Sequence, residues 1–287
     1  MQTAVRDVLV VVKSGDAQAG ALAEEIAAWV AEKGARARVV ENRTDQEGCS
    51  DASCFIGREP APGLAVVLGG DGTMISVARK MGEAQAPLLG INLGRLGFLT
   101  QIAGEDWRRP LEMALVKGFA VSRLTMLTAE VAREGRRVFK SPAVNDVVVR
   151  GSMARLIKVG VVFGGERLGG FRADGMVAAT PTGATAYSMS AGGPLVHPEL
   201  QVLTLTPICP FLCDFRPMVL PTDRPLDLGV EEATAEVVLT CDGQATFDLR
   251  QGDWVRVRRA PYCLNLVAVG RHSYFGKLLD KGFIRER

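Results

Sequence analysis

At 287 residues the chain is long enough for two hydrophobic cores, since domains usually run to about 100–150 residues. Hydrophobic content of 47% with 23% charged residues describes a soluble globular protein and excludes a disordered or fibrous one. A formal charge of +2 and only 6% aromatics supply neither a basic stripe nor stacking platforms, which argues against a nucleic-acid partner.

Val8-Leu-Val-Val-Val12 is a β-branched apolar run that predicts a buried parallel strand. Ala17 to Lys33 follows with helical spacing, placing Ala21, Leu22, Ile26, Trp29 and Val30 on one face, and Gly34 stops it. Arg38-Val39-Val40 predicts a second strand, and residues 41–63, with Pro60 and Pro62, a connecting loop. Leu64 to Leu68 predicts a third strand, Thr73 to Met81 a helix and Pro87 to Ile91 a fourth strand. This alternation implies an open parallel sheet with its ligand crevice at the carboxyl ends of the strands. Asn92 to Leu99 continues as a glycine-rich loop expected to face that crevice, with Phe98 either packing or covering a nucleotide. Trp107 to Lys117 predicts a helix leading out of the first domain.

From about residue 120 the pattern changes to strands with few intervening helices, which implies an antiparallel β domain. The candidates are Leu124 to Val131, Val144 to Val149, Leu156 to Phe163, Met176 to Ala179, Val237 to Cys241, Trp254 to Val257 and Cys263 to Val269. Gly164-Gly165 reads as a hairpin turn. Tyr274 to Arg287 has helical spacing in Phe275, Leu278, Leu279 and Phe283, and is expected to pack back on the first domain. The expected division is 1–118, 119–270 and a C-terminal segment 271–287.

The chemistry concentrates on Gly69-Gly70-Asp71-Gly72-Thr73, between a buried strand and a helix. Glycines leave backbone N–H groups open to phosphate oxygens. Asp71 does not suit an anion cradle, because a carboxylate repels phosphate; it suits either a proton acceptor or an N-cap. A second dense stretch, Arg172 to Pro194, carries Thr180, Thr182, Thr185, Tyr187, Ser188 and Ser190 around Pro181 and Gly183, with a short helix expected near Thr185. These neutral donors suit a ribose or a phosphate without adding charge. Asn145-Asp146 and Asp242-Gly243-Gln244 read on their own as turn signals.

Two histidines, His197 and His272, leave little for a histidine-based apparatus, so a general base falls to a carboxylate. The six cysteines are scattered and read as reduced thiols, Cys209 and Cys213 included. The N-terminus lacks a basic region followed by a long apolar core, and no apolar stretch reaches about 18 residues. A cytoplasmic protein without a membrane partner is expected.

Taken together and in this order, the Gly-Gly-Asp-Gly-Thr turn, Asn145-Asp146, Asp174-Gly175 running into Thr180-Pro-Thr-Gly-Ala-Thr-Ala-Tyr187, Gly192-Gly193-Pro194 and Asp242-Gly243-Gln244 resemble the NAD kinase family. The turn alone is shared with lipid kinases of the diacylglycerol and sphingosine type and is similar to one in 6-phosphofructokinases; the Thr-Pro-Thr-Gly stretch is more specific. The resemblance implies an α/β + β fold, a Rossmann-like N-terminal domain and a β-sandwich-like C-terminal domain, with the site between them. It implies γ-phosphoryl transfer from ATP to the 2′-hydroxyl of the adenosine ribose of NAD, with Asp71 as catalytic base. Gly69, Gly70, Gly72 and Thr73 would form the phosphate turn. NAD would be met by Asp71, Gly72, Phe98, Asn145, Asp146, Arg155, Arg172, Asp174 and Gln244, and by the segment Thr185, Ala186, Tyr187, Ser188, Met189 and Ser190, whose first three members and Ser190 border the adenosine. No protein-held metal is implied; Mg²⁺ would come with ATP, and a homodimer or homotetramer is expected. The chain departs from the family pattern at Ala184, where Ser is common, and at Cys209-Pro-Phe-Leu-Cys213, where the family has a Cys-Pro-His-Ser-Leu-like run.

Overall fold

The computed structural model of the chain describes residues 5–43, 51–152, 155–212, 215–269 and 273–285. Cys49, Cys213 and His272 therefore lie outside the described residues. The chain forms two units, one of Met1–Arg123 with Leu264–Arg287, the other of Leu124–Cys263.

In the first unit, β1 (Asp7–Lys13), α1 (Ala17–Glu32), β2 (Arg36–Asn42), α2 (Ser53–Ile56), β3 (Leu64–Leu68), α3 (Asp71–Met81), β4 (Leu88–Asn92), β5 (Ile102–Ala103) and α4 (Arg108–Val116) alternate. The strands are parallel in the order β2-β1-β3-β4, with β5 also on β4. Burial on both faces explains the apolar runs Val8–Val12 of β1, Leu64–Leu68 of β3 and Leu88–Ile91 of β4. The buried stripe of α1 is Ala19, Ala23, Ile26 and Val30, at spacings of four, three and four residues. Ala21, expected on that face, is exposed, and Leu22 and Trp29 flank the stripe, because one helical turn takes 3.6 residues. The expected loop 41–63 is shortened by two residues of β2 and by α2, whose Phe55 is buried.

The second unit holds β6 (Val121–Arg133, of which Leu124 onward belongs here), β7 (Arg136–Ala143), β8 (Asp146–Gly151), β9 (Ile157–Phe163), β10 (Glu166–Ala173), β11 (Gly175–Ala179), a 3₁₀ turn (Gly183–Thr185), α5 (Tyr187–Ser190), β12 (Val202–Ile208), β13 (Met218–Pro221), β14 (Leu226–Glu232), β15 (Val237–Cys241), β16 (Ala245–Leu249) and most of β17 (Trp254–Val267). One sheet runs β10-β9-β14-β17 with the β6–β7 hairpin, the other β13-β12-β11-β8-β15-β16. Side chains of both sheets, among them Val147, Met176 and Leu205 from one and Val159, Leu228 and Val257 from the other, form a single buried cluster. This is a sandwich core. Two expected strands at Trp254 and Cys263 are one continuous strand, because Arg256, Arg258 and Arg259 fall on its exposed positions rather than in a turn. The chain ends in α6 (Tyr274–Asp280), shorter than the expected helix, since Gly282 takes φ +74° just after its C-cap Lys281. No helix among the described residues is long and apolar enough to cross a membrane. The described cysteines Cys54, Cys209, Cys241 and Cys263 are free thiols.

Candidate active site

The turn after β3 is shaped by a close approach. Gly69 takes φ +149°, and a Cβ there would lie 2.6 Å from the Thr73 hydroxyl oxygen, so only glycine fits. Gly70 caps α3 without a side-chain hydrogen bond. The N-cap alternative for Asp71 is therefore replaced by a different arrangement: Asp71 is the first residue of α3 and its carboxylate reaches across to the loop after β4. Its Oδ2 accepts from Phe98 N–H at 2.7 Å. Its Oδ1 accepts from Leu99 N–H at 3.1 Å, Thr100 N–H at 3.0 Å and Thr100 Oγ1–H at 2.8 Å.

The loop is held from its other side by α6. Lys277 Nζ donates to Phe98 O at 3.0 Å, Lys281 Nζ donates to Leu96 O, and the Phe98 ring meets Phe283 edge-on at 5.5 Å. Phe98 is half-buried in this packing. Burial pushes the Lys277 ammonium below the usual lysine range, and the negative charge of Asp71 opposes that shift. The loop residue Phe98 thus meets the carboxylate through its N–H and the lysine through its carbonyl.

Gly97 lies over the Asp71 carboxylate, where an added Cβ would overlap both its oxygens. Gly97→Ala must displace the loop or the acid, and is expected to lower kcat/KM at least about 10-fold and stability by about 1–3 kcal/mol. Gly94→Ala is the control, because its Cβ would meet nothing closer than 3.7 Å. Steady-state kinetics and thermal melts of the two variants check this, and equal behaviour would refute it.

In the second unit the hairpin between β15 and β16 turns at Asp242 and Gly243, with φ +55° and +63°, the backbone signature of a type I′ turn. Asp242 does more than turn the chain. Its Oδ2 accepts from Val144 N–H at 2.8 Å, and its Oδ1 from Asn145 N–H at 2.6 Å and Asp146 N–H at 3.1 Å. Asp242 N–H donates in turn to Asp146 O at 2.9 Å. The start of β8 is thereby fixed from 96 to 98 residues away in sequence.

The Thr180–Gly183 turn lies on the same dipeptide. Thr180 Oγ1–H donates to Val144 O at 2.6 Å and its oxygen accepts from Gly183 N–H at 3.0 Å, while Thr180 N–H donates to Asn145 O at 2.8 Å. A Cβ on Gly183 would overlap the Asn145 carbonyl, so the glycine of Thr-Pro-Thr-Gly is a packing requirement. Asp146 is 5% exposed; burial first, and the charge of Asp242 second, push its carboxyl up to about 7.

The remaining residues divide. Thr185, Ala186 and Met189 are half-buried, and Tyr187 and Ser190 are exposed. Ser188 is fully buried, with its hydroxyl shared with Thr204 at 3.3 Å and Thr206 at 3.2 Å, so its side chain supports the segment from beneath instead of lining its surface. Arg172 is exposed and pairs with Glu232 at 3.0 Å; Arg155 is exposed just before β9; Asp174 is half-buried and Gln244 exposed. Among the described residues, no cluster of three or more His, Cys, Asp or Glu side chains could hold a metal ion. Thr100 and Lys277, which touch the Asp71 assembly, carry no signal of their own in the sequence.

Residues 144–269 match the family model of the ATP-NAD kinase C-terminal domain, and residues 58–118 that of the ATP-NAD kinase N-terminal domain. The chain is 48% identical to the NAD kinase of Nitratidesulfovibrio vulgaris strain Miyazaki F over 288 aligned residues, covering 100% of both proteins. Its structure is similar to that of yeast NADH kinase complexed with NADH, with TM-score 0.82 and 25% identity over 96% of this chain and 87% of the other. An NAD kinase from Archaeoglobus fulgidus in complex with ATP is also similar, with TM-score 0.74 and 25% identity over 92% and 94% of the two chains. With a glycine turn that delivers an anchored carboxylate, an Asn-Asp pair pinned by a distant aspartate, and full-length identity far above the level that fixes a family, the chain belongs to the NAD kinases.

Proposed function

We propose that the protein transfers the γ-phosphoryl group of ATP to the 2′-hydroxyl of the adenosine ribose of NAD, giving NADP and ADP, with Asp71 as general base. The observation that carries the base assignment is a carboxylate held by four donors at the start of α3, directly after the glycine turn. In the reaction the ribose oxygen forms a bond to the γ-phosphorus, the bond from that phosphorus to the β,γ-bridging oxygen breaks, and its electron pair leaves with ADP. The ribose proton passes to Asp71. Because the transition state is loose, alignment and charge neutralisation provide most of the rate, and the base adds about 10²–10⁴-fold.

Gly69, Gly70, Gly72 and Thr73 are assigned to phosphate, where backbone N–H groups and the dipole of α3 favour negative charge. Asn145, Asp146 and the segment from Thr185 to Ser190 are assigned to NAD, with Ser188 acting through its neighbours. The divalent cation is assigned to the triphosphate, with MgATP as the substrate, because Mg²⁺ is commonly bound through substrate phosphates together with one or two carboxylates. A cytoplasmic homodimer or homotetramer is part of the same proposal.

The test is NADP formation from NAD and MgATP, read with an NADP-specific dehydrogenase. Product from the purified protein is expected. A folded protein that binds NAD, shown by calorimetry, yet yields no NADP with ATP would overturn the assignment of donor and activity.

A further inference from the structure

The Asp71 carboxylate is not symmetric. Oδ1 takes three donors, whereas Oδ2 takes only the Phe98 N–H. A carboxylate oxygen offers about two lone-pair directions, so Oδ1 is saturated and Oδ2 retains room for one more donor. The shortest of the three contacts on Oδ1, at 2.8 Å, comes from a side chain, the hydroxyl of the fully buried Thr100.

The direction of the Thr100 hydroxyl is fixed by the next residue in the network. Asn92, at the end of β4 and 5% exposed, accepts Gly94 N–H on its Oδ1 at 2.8 Å. That contact orients the amide, so Nδ2 donates to Arg95 O at 2.7 Å and to Thr100 Oγ1 at 2.9 Å. A hydroxyl that receives an N–H from one side presents its own hydrogen to the other, and the acceptor there is Asp71 Oδ1. Gly90 makes the approach possible, since a Cβ on this strand residue would lie 2.9 Å from Thr100 Cγ2 and 3.1 Å from Thr100 Cα.

We infer that Asn92 and Thr100 form a positioning relay that fixes the orientation of the Asp71 carboxylate, holding Oδ1 against its donors, and so assigns proton acceptance from the substrate hydroxyl to Oδ2. Neither residue touches substrate in this scheme; both act through Asp71. The inference rests on Asp71 being the base. A ribose hydroxyl approaching Oδ2 meets an oxygen with one open direction, held by the Phe98 N–H on one side and by the rigid Oδ1 contacts on the other. Without the Thr100 hydroxyl, Oδ1 keeps its two backbone donors but loses its shortest contact, and the carboxylate rotates more freely about its Cβ–Cγ bond, so Oδ2 is less firmly aimed.

The test compares Thr100→Val, which keeps the shape and removes the hydroxyl, with Thr100→Ser, which keeps the hydroxyl, each also combined with Asp71→Asn. Thr100→Val is expected to lower kcat about 10- to 100-fold, the range for losing a hydrogen bond to a charged group, with KM for NAD and for ATP changed less than about 3-fold. Thr100→Ser is expected to restore kcat to within about 3-fold of wild type. In the Asp71→Asn background the Val substitution is expected to cost less than about 2-fold more, because the group it acts through is gone. A thermal melt of each variant accompanies the kinetics. Undiminished kcat in Thr100→Val, an equal defect in Thr100→Ser, or a full additional loss in the Asp71→Asn background would each overturn the relay while leaving the base assignment intact. Failure of that assignment is a separate result, namely wild-type kcat in Asp71→Asn alone.

Discussion

Asp71→Asn is expected to lower kcat by about 10²–10⁴-fold, with KM for NAD changed far less. An amide cannot accept the ribose proton, and it also replaces one acceptor oxygen by a donor. All four contacts of the wild-type carboxylate come from donors, so either orientation of the substituted amide sets N–H against N–H. The less costly orientation keeps the amide oxygen at the Oδ1 position, with its three donors, and turns the NH₂ toward Phe98 N–H. Losing that contact and leaving the Phe98 amide unpaired is expected to cost about 1–3 kcal/mol, visible as a lower Tm. Stability and activity therefore fall together, and Gly97→Ala separates them. It disturbs the same loop while keeping the carboxylate, so an Asp71→Asn loss that greatly exceeds the Gly97→Ala loss belongs to the proton acceptor. Near-wild-type kcat in Asp71→Asn, with unchanged Mg²⁺ dependence, would refute the assignment.

The parts of this site that sequence exposes are those written in consecutive residues. The run Leu64 to Leu68, both faces buried, followed by glycines that only a tight turn explains, identifies β3, the turn and α3 without further information. The parts it hides are long-range. The donors that hold Asp71 lie 27 to 29 residues further along the chain, and nothing in Phe98-Leu99-Thr100 marks them as partners of a carboxylate. Asp242-Gly243 is a hairpin signal and is a hairpin, yet its carboxylate organises Asn145 and Asp146 through backbone amides, which any sequence would supply. Ser188 sits in a hydroxyl-rich run that suits a ligand, but the helical phase of α5 turns it inward onto Thr204 and Thr206. Among strands, β10 and β14 are interrupted by glycine and charge, Gly169-Gly170 and Gly229 with Glu231, so no apolar run announces them. Their glycines give room to neighbours instead: a Cβ on Gly229 would lie 2.7 Å from the Trp254 ring.

The buried Asp146 makes the stability of the protein depend on pH, with a sign opposite to that of a salt-bridged carboxylate. Its pKa rises from 3.8 to about 7 on folding, through burial and then through the charge of Asp242. Below about pH 4 both folded and unfolded chains carry the proton, and the contribution is fully present. Between about 4 and 7 the folded protein holds a proton that the unfolded chain has released, so stability falls as pH rises. Above about 7 the group is ionised beside Asp242 and the contribution is lost. At about 1.4 kcal/mol per pKa unit, discounted for relaxation around the pair, the swing is on the order of 2–4 kcal/mol. Asp146→Asn removes the titration, so the Tm of the variant minus that of wild type is expected to rise by roughly 5–10 °C between about pH 5 and about pH 8. The difference between the two pH values is the readout, because it cancels any fixed cost of fitting an amide into the site; a difference that stays flat would refute the buried-acid reading. Asp242→Asn gives the complementary result at about pH 5, where Asp146 is protonated. Asn tolerates the left-handed backbone of the turn and keeps one acceptor, but one of the three backbone amides loses its partner, and stability is expected to drop by about 1–3 kcal/mol. A residue that served only to turn an exposed hairpin would show no such loss, so the sign of the change at that pH decides whether Asp242 anchors the Asn145-Asp146 strand or merely reverses the chain.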